Sequence, residues 1–291
     1  MEHSEQIKKT GKKSKYSFLV LMDFSNASYT ALKYSISLAK LLNANIHVMH
    51  VVDVSSLVKG DNQASAMRAV DSKVRGVENK LRSIVEIIET EDVSASQQHL
   101  MGNITLEAGQ YAKEFKPDLI VVGKKSSKLN FSGRLSNYLT NKYSGAVLIV
   151  DEDAEFRADM NITFGYNGKP MNDCDPQLLF EMDKHSNRPL TCLKVDMQEG
   201  AEDGVDLPES WISGEQSPKD INYESRVNST MADGLVDYIS NHDVELLCIG
   251  REKQKSLLKG LLSSQRSNTA RIINRVHIPI MLMRREPATA S

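Results

Sequence analysis

The spacing of apolar and polar positions changes repeatedly along the chain, and each change marks an element. Phe18-Leu19-Val20-Leu21-Met22 is apolar without alternation, as in a strand covered on both faces of a parallel sheet. Asp23-Phe24-Ser25-Asn26 ends the run, and Ser25, Asn26 or Ser28 can cap the next helix. Ala31, Leu32, Ser35, Leu38, Ala39 and Leu42 then recur at helical spacing until Asn43-Ala44-Asn45. Residues 46–52 read as a second strand. A loop through Gly60 and Asn62 leads to a long helix over about 64–88, with one stripe made by Met67, Val70, Val74, Val77, Leu81, Ile84, Val85 and Ile88. A third strand near 96–101 ends at Gly102-Asn103, which reads as a turn. A helix around Ile104–Phe115, a fourth strand Leu119-Ile120-Val121-Val122-Gly123, a basic serine-rich loop, a helix over 135–143 and a fifth strand over 146–150 follow. Strands alternating with helices predict a doubly wound α/β domain with right-handed crossovers.

After Asp151-Glu152-Asp153 the pattern restarts. Residues 161–166, 190–195, 244–250 and 278–283 repeat the first, second, fourth and fifth strands, which indicates an internal duplication of domain size. The second copy departs at 199–220, a polar stretch with Gly, Pro and acidic residues where the first has its long helix; it reads as a loop or a partly disordered segment. The predicted organisation is a basic arm over 1–15 (Lys8, Lys9, Lys12, Lys13, Lys15), one domain over 16–153 and a degenerate second over 154–291.

Val20-Leu21-Met22-Asp23-Phe24-Ser25, a helix closing on Ala39-Lys40, and His47-Val48-Met49-His50-Val51-Val52 resemble the start of a universal stress protein. Pro117-Asp118-Leu119-Ile120-Val121-Val122-Gly123 and Gly133-Arg134-Leu135-Ser136-Asn137-Tyr138-Leu139 resemble that family's fourth strand and last helix. Arg271-Ile272-Ile273 with His277-Ile278-Pro279-Ile280 resembles its ending in the second copy. The resemblance implies a tandem member with an open, five-stranded, Rossmann-like parallel sheet per domain, of the adenine-nucleotide alpha-hydrolase-like class. It also implies pairing through the fifth strands, either between the two copies or across a homodimer.

Family members that bind ATP carry a G-x2-G-x9-G-[ST] loop after strand four. Glycines let backbone N–H groups approach phosphate, and the next helix adds positive potential at its N-terminus. By this resemblance Asp23 faces ribose or adenine, Val51 holds adenine through its backbone, and Gly123 opens the loop. The loop then departs: Ser126 replaces the second glycine, six residues separate it from Gly133, and Arg134 replaces the small hydroxyl residue. Lys124, Lys125, Lys128 and Arg134 offer compensating charge. The second copy departs further, with Tyr166 for the aspartate, Lys253 for the second glycine and Ser267-Asn268 as the nearest final pair. The bland alternatives stand beside these: Asp23 as a helix-capping or loop carboxylate, Gly123 as a tight strand exit.

Composition narrows the rest. The 291 residues hold 36 basic and 38 acidic side chains, net charge −2, so no global field favours nucleic acid or anionic lipid. The apolar runs fall short of a membrane span, and Met1-Glu2-His3-Ser4-Glu5 has no apolar signal region, which predicts a cytoplasmic protein. Cys174, Cys192 and Cys248 show no CxxC spacing, which argues against a disulfide scaffold or cysteine zinc site. His47 and His50 lie three apart on a strand and face opposite sides, so they do not chelate one metal. No nucleophile elbow or triad spacing is present. The sequence therefore predicts a non-enzymatic stress-response module acting through an unknown protein partner, with no metal site. Its alternative is an adenine-nucleotide sensor that takes ATP or AMP, with Mg²⁺, in the first domain.

Overall fold

A computed structural model describes residues 14–53, 63–125, 134–167, 174–196, 207–208, 211, 217–250 and 268–285. The chain forms two compact units, Met1–Gly123 and Lys124–Ser291.

In the first unit β1 (Tyr16–Leu21), α1 (Asn26–Leu42), β2 (Ala44–Val52), α2 (Gln63–Thr90), β3 (Ala95–Met101), α3 (Ile104–Phe115) and β4 (Leu119–Lys124) follow in turn. The four strands are parallel, in the order β3-β2-β1-β4. Helices lie on both faces. The His47 ring stacks on Tyr111 and Phe115 of α3, whereas His99, on the face that His50 shares, meets Glu78 of α2. That double cover is why Phe18, Leu19, Val20, Ile46 and Val48 are all buried without alternation. Ser25 is the N-cap of α1, its hydroxyl accepting from the Ser28 N–H. Asn43 at φ 53° ends that helix in the left-handed conformation asparagine tolerates. Gly102 at φ 143° makes the predicted turn, and Asn103 then caps α3 by accepting from Thr105 and Leu106 N–H.

The second unit runs α4 (Arg134–Asn137) into a π-helical turn (Tyr138–Lys142), then β5 (Ala146–Asp151), β6 (Ile162–Tyr166), β7 (Cys174–Asp175), α5 (Gln177–Asp183), β8 (Leu190–Asp196) and β9 (Ile221–Val227). It closes with α6 (Met231–Asn241), β10 (Leu246–Ile249), α7 (Asn268–Arg275), β11 (Ile280–Leu282) and β12 (Arg284–Arg285). Its strand order is β5-β11-β10-β6-β8-β9. The strands from β11 to β9 are parallel, and β5 is antiparallel to β11 with Met281 opposite Leu148. The fifth strand of the sequence reading, 146–150, thus packs in the second compact unit beside its counterpart.

Two features of this unit escaped the sequence. β9 is largely polar and exposed because it is the last strand of its sheet, so no apolar run announces it. Within 199–220, read as loop, Leu207 and Trp211 are buried core residues. The Trp211 ring sits 5.1 Å from Phe164 of β6 and 5.6 Å from Phe180 of α5. That stretch therefore contributes core, and residues 199–206, 209–210 and 212–216 lie outside the described residues.

Candidate functional site

The carboxyl ends of β2, β1 and β4 lie side by side in the first unit, and they carry Val51, Asp23 and Gly123. Ligands of open α/β sheets bind at such an edge. The Met22 N–H donates to Met49 O at 2.8 Å, and the Gly102 N–H to Val52 O at 3.1 Å. Successive peptide groups of a strand turn to alternate sides, so Val51 directs its N–H and carbonyl toward the β1 side, beyond that last β1 bond. This is the orientation needed to pair with the edge of a planar base.

Asp23 is exposed, but one of its oxygens is occupied locally. Oδ1 accepts from the Ser25 N–H at 2.9 Å and the Ser25 hydroxyl at 2.5 Å, closing an Asx turn. Between them Phe24 adopts φ 62°, an uncommon conformation for an aromatic residue. Its ring lies 4.6 Å from that of His50 and 5.0 Å from the Lys80 ammonium. His50 Nδ1 is 2.7 Å from Met22 O, and burial pushes this imidazole below its usual pKa. The corner between β1 and α1 is thus fixed by residues of β2 and α2. Phe24, His50 and Lys80 were not singled out in this role by the sequence, where nothing signals that three separated elements meet.

Gly123 has a packing role. A Cβ there would stand 2.3 Å from Ala27 O and 2.7 Å from Ser28 N, so only glycine lets β4 close onto the start of α1. Lys124, first residue of the second unit, is also committed. Its ammonium lies 2.8 Å from the Asp151 carboxylate, and it donates to Val276 O at 2.6 Å and Ile273 O at 3.0 Å. Both partners of the ion pair are buried, with Lys124 5% and Asp151 0% exposed, and the lysine satisfies carbonyls at the end of α7. Lys124 therefore does not supply the compensating phosphate charge that the sequence suggested.

Ser126, Lys128 and Gly133 lie outside the described residues, as do Lys253 and Ser267. Arg134 is exposed and opens α4 in the second unit. Tyr166 is a core residue stacked 5.7 Å from Phe164, and it does not take the aspartate's place: Leu21 pairs with Val122 and Gly165 with Ile249, so Tyr166 corresponds to Met22 and Asn167 to Asp23. Elsewhere on that unit Asp233 accepts from Thr230, Arg271 and Arg275, hydrogen bonds that hold its carboxyl well below the usual carboxylate range. His47 and His50 do face opposite ways: His47 bonds Ser96 and Tyr111 at 2.7 Å each. Among the described residues no group of three His, Cys, Asp or Glu is placed to hold a metal, and no helix is long and apolar enough to cross a membrane. The base-and-ribose side of a nucleotide thus finds fitting groups in Val51 and Asp23. On the phosphate side, Gly123 and Lys124 are held in structural contacts.

Comparison with known proteins agrees with this architecture. Residues 17–151 match the model of the universal stress protein family. The chain is similar to a universal stress protein from Archaeoglobus fulgidus DSM 4304, with 17% identity and TM-score 0.72 over 95% of this chain and 98% of that one. It is also similar to a functionally unknown protein from Pseudomonas aeruginosa PAO1, with 12% identity and TM-score 0.57 over 93% of each chain. At such identities the likeness establishes the fold alone. No curated protein matches the sequence.

Proposed function

We propose that this chain is a non-catalytic, cytoplasmic stress-response module of the universal stress protein family that acts through contacts with a protein partner, its nucleotide loop largely degenerate. The observation that carries this reading is the fate of Gly123-Lys124, where the cradle would begin. The glycine is used by the backbone of α1, and the lysine by Asp151 and the end of α7. A phosphate cradle needs backbone N–H groups and cations turned toward the ligand.

A second reading, an adenine-nucleotide sensor using the first unit, is favoured by the direction of the Val51 peptide groups and the exposure of Asp23. Val51 would hold the base and Asp23 the ribose hydroxyls, while ATP or AMP, with Mg²⁺, would bring its own phosphate charge. Calorimetric titration with ATP and AMP, each with and without Mg²⁺, separates the two. The interaction-module reading expects neither heat nor a thermal shift at millimolar nucleotide. One site per chain at micromolar Kd, lost in Asp23→Ala, overturns it in favour of the sensor.

A further inference from the structure

We propose that β9 is a self-complementary docking edge, through which a second copy of this chain adds its own β9 antiparallel to the first. β9 ends its sheet, and among the described residues its only ladder partner is β8. Which of its peptide groups face outward follows from two bonds. Asp220 O accepts from Leu190 N–H at 3.0 Å, and Asn228 N–H donates to Asp196 O at 2.9 Å. Even-numbered residues therefore turn their peptide groups toward β8. Ile221, Tyr223, Ser225 and Val227 turn theirs to the open edge.

An antiparallel partner that uses this edge must set odd-numbered residues opposite odd-numbered ones. A two-fold axis at Ser225 does so: Ser225 faces Ser225 of the second copy, Tyr223 faces Val227, and Val227 faces Tyr223. Each of these pairs exchanges both backbone hydrogen bonds. Among the described residues of this unit, Tyr223 and Val227 are the large apolar side chains that stand exposed, at 40% and 55%, and this register places each against the other on one face. On the opposite face Glu224 stands directly across from Arg226, twice by symmetry. Within one chain those two side chains reach only 3.5 Å along the strand.

The neighbouring registers with the same outward bonding are opposed by charge. An axis at Glu224 sets two carboxylates face to face, and an axis at Arg226 sets two guanidinium groups face to face; like charges directly opposite destabilise a sheet pair. One alignment is thus favoured by backbone, apolar and charged groups together. The edge carries neither the proline nor the unmatched charge that would blunt it.

The test is the mass of the full-length chain in solution, by sedimentation velocity across a concentration series. The expected result is a species of twice the 32.5 kDa chain mass. Glu224→Arg and Arg226→Glu each weaken it at least tenfold, because each alone puts like charges across the axis. Mixing the two variants restores the dimer, since every arginine then meets a glutamate, whereas a purely structural role for either residue is not rescued in trans. Ser225→Pro removes an outward N–H and leaves the β8 bonds, so it also yields monomer. Should the charge variants fold poorly, Ser225→Cys decides: the axis residue faces itself as a hydrogen-bonded pair at about 5.5 Å between Cα atoms, within the span of a disulfide, and mild oxidation gives a covalent dimer. The native cysteines are all buried and do not compete. A wild-type chain that stays monomeric at every concentration overturns the proposal. So does a dimer that neither charge variant loosens and Ser225→Cys does not trap.

Discussion

The two units use one strand order and complete it differently. In the first, α2 is 28 residues long, and its Val77, Leu81, Ile84 and Ile88 are buried. In the second, the described residues between β8 and β9 contribute Leu207 and the wide ring of Trp211 to the core. The strand ends differ in parallel: the first unit keeps an exposed Asp23 in an Asx turn, and the second has the half-buried Asn167 at that register. The edge strands differ too, since β3 residues are mostly half-buried and β9 residues mostly exposed. A duplicated fold can thus hold its sheet constant while the surfaces of the two copies diverge, because the sheet fixes the architecture and the crossovers fix the surface.

The largest effect expected from breaking this comparison lies at Trp211. Its ring fills space against Phe164 and Phe180, so Trp211→Ala leaves a cavity between them. The expected loss is about 3–5 kcal/mol, read as a drop in the denaturant midpoint of the second unit's transition. Leu81→Ala on α2 is the matched change in the first unit, at about 2–5 kcal/mol. If Trp211→Ala costs less than about 1 kcal/mol, Trp211 does not carry in this unit the packing that the apolar stripe of α2 carries in the first, and the comparison fails.

That ring also shows what the sequence revealed and what it hid. The strands of both copies were legible because fully covered parallel strands read as continuous apolar runs, from Phe18 to Met22 and again from Leu246 to Ile249. β9 was hidden because an edge strand need not be apolar, and Trp211 because one large residue in a polar stretch has no period. At the candidate site it was the family resemblance that pointed to Asp23, Val51 and Gly123 at the strand ends. The sequence did not show that Gly123 meets the Ala27 carbonyl or that Lys124 meets Asp151, 27 positions along the chain (151 − 124), since contacts of that kind leave no mark in local spacing.

A pair of glycines sharpens the same point at lower cost. At Gly123 an added methyl meets backbone, 2.3 Å from a carbonyl oxygen, and the backbone has little room to yield. At Gly165 in β6 it meets the Leu235 side chain at 2.5 Å, which can rotate away. Gly123→Ala is expected to cost about 3 kcal/mol and Gly165→Ala about 1 kcal/mol, from thermal or denaturant unfolding of each variant. Equal losses would remove the distinction between backbone and side-chain contact. A loss of nucleotide binding in Gly123→Ala would carry no information about phosphate unless the fold survived it.

The smallest effect is a pH dependence confined to the second unit. Asp183, at the end of α5, is 8% exposed, and burial followed by the nearby Asp220 carboxylate raises its pKa to about 6. The same burial, with Asp183 beside it, pushes the Cys192 thiol up to about 12, so this corner holds no reactive thiolate at neutral pH. A carboxyl raised on folding favours the folded state fully only where it is protonated in both states, below about pH 4. Its contribution is lost as pH rises from there through about 6. Asp183→Asn removes that loss. Relative to the parent chain it should stabilise the second unit by about 1–2 kcal/mol at pH 7, discounted from the full shift because Asp220 is exposed and screened. At pH 4 the gain should shrink to nearly nothing. Denaturant midpoints of parent and variant at the two pH values measure it. A gain of the same size at both, or a loss at pH 7, would mean that the Asp183 carboxylate is stabilised by its surroundings and that the polar end of this copy is as settled as its core.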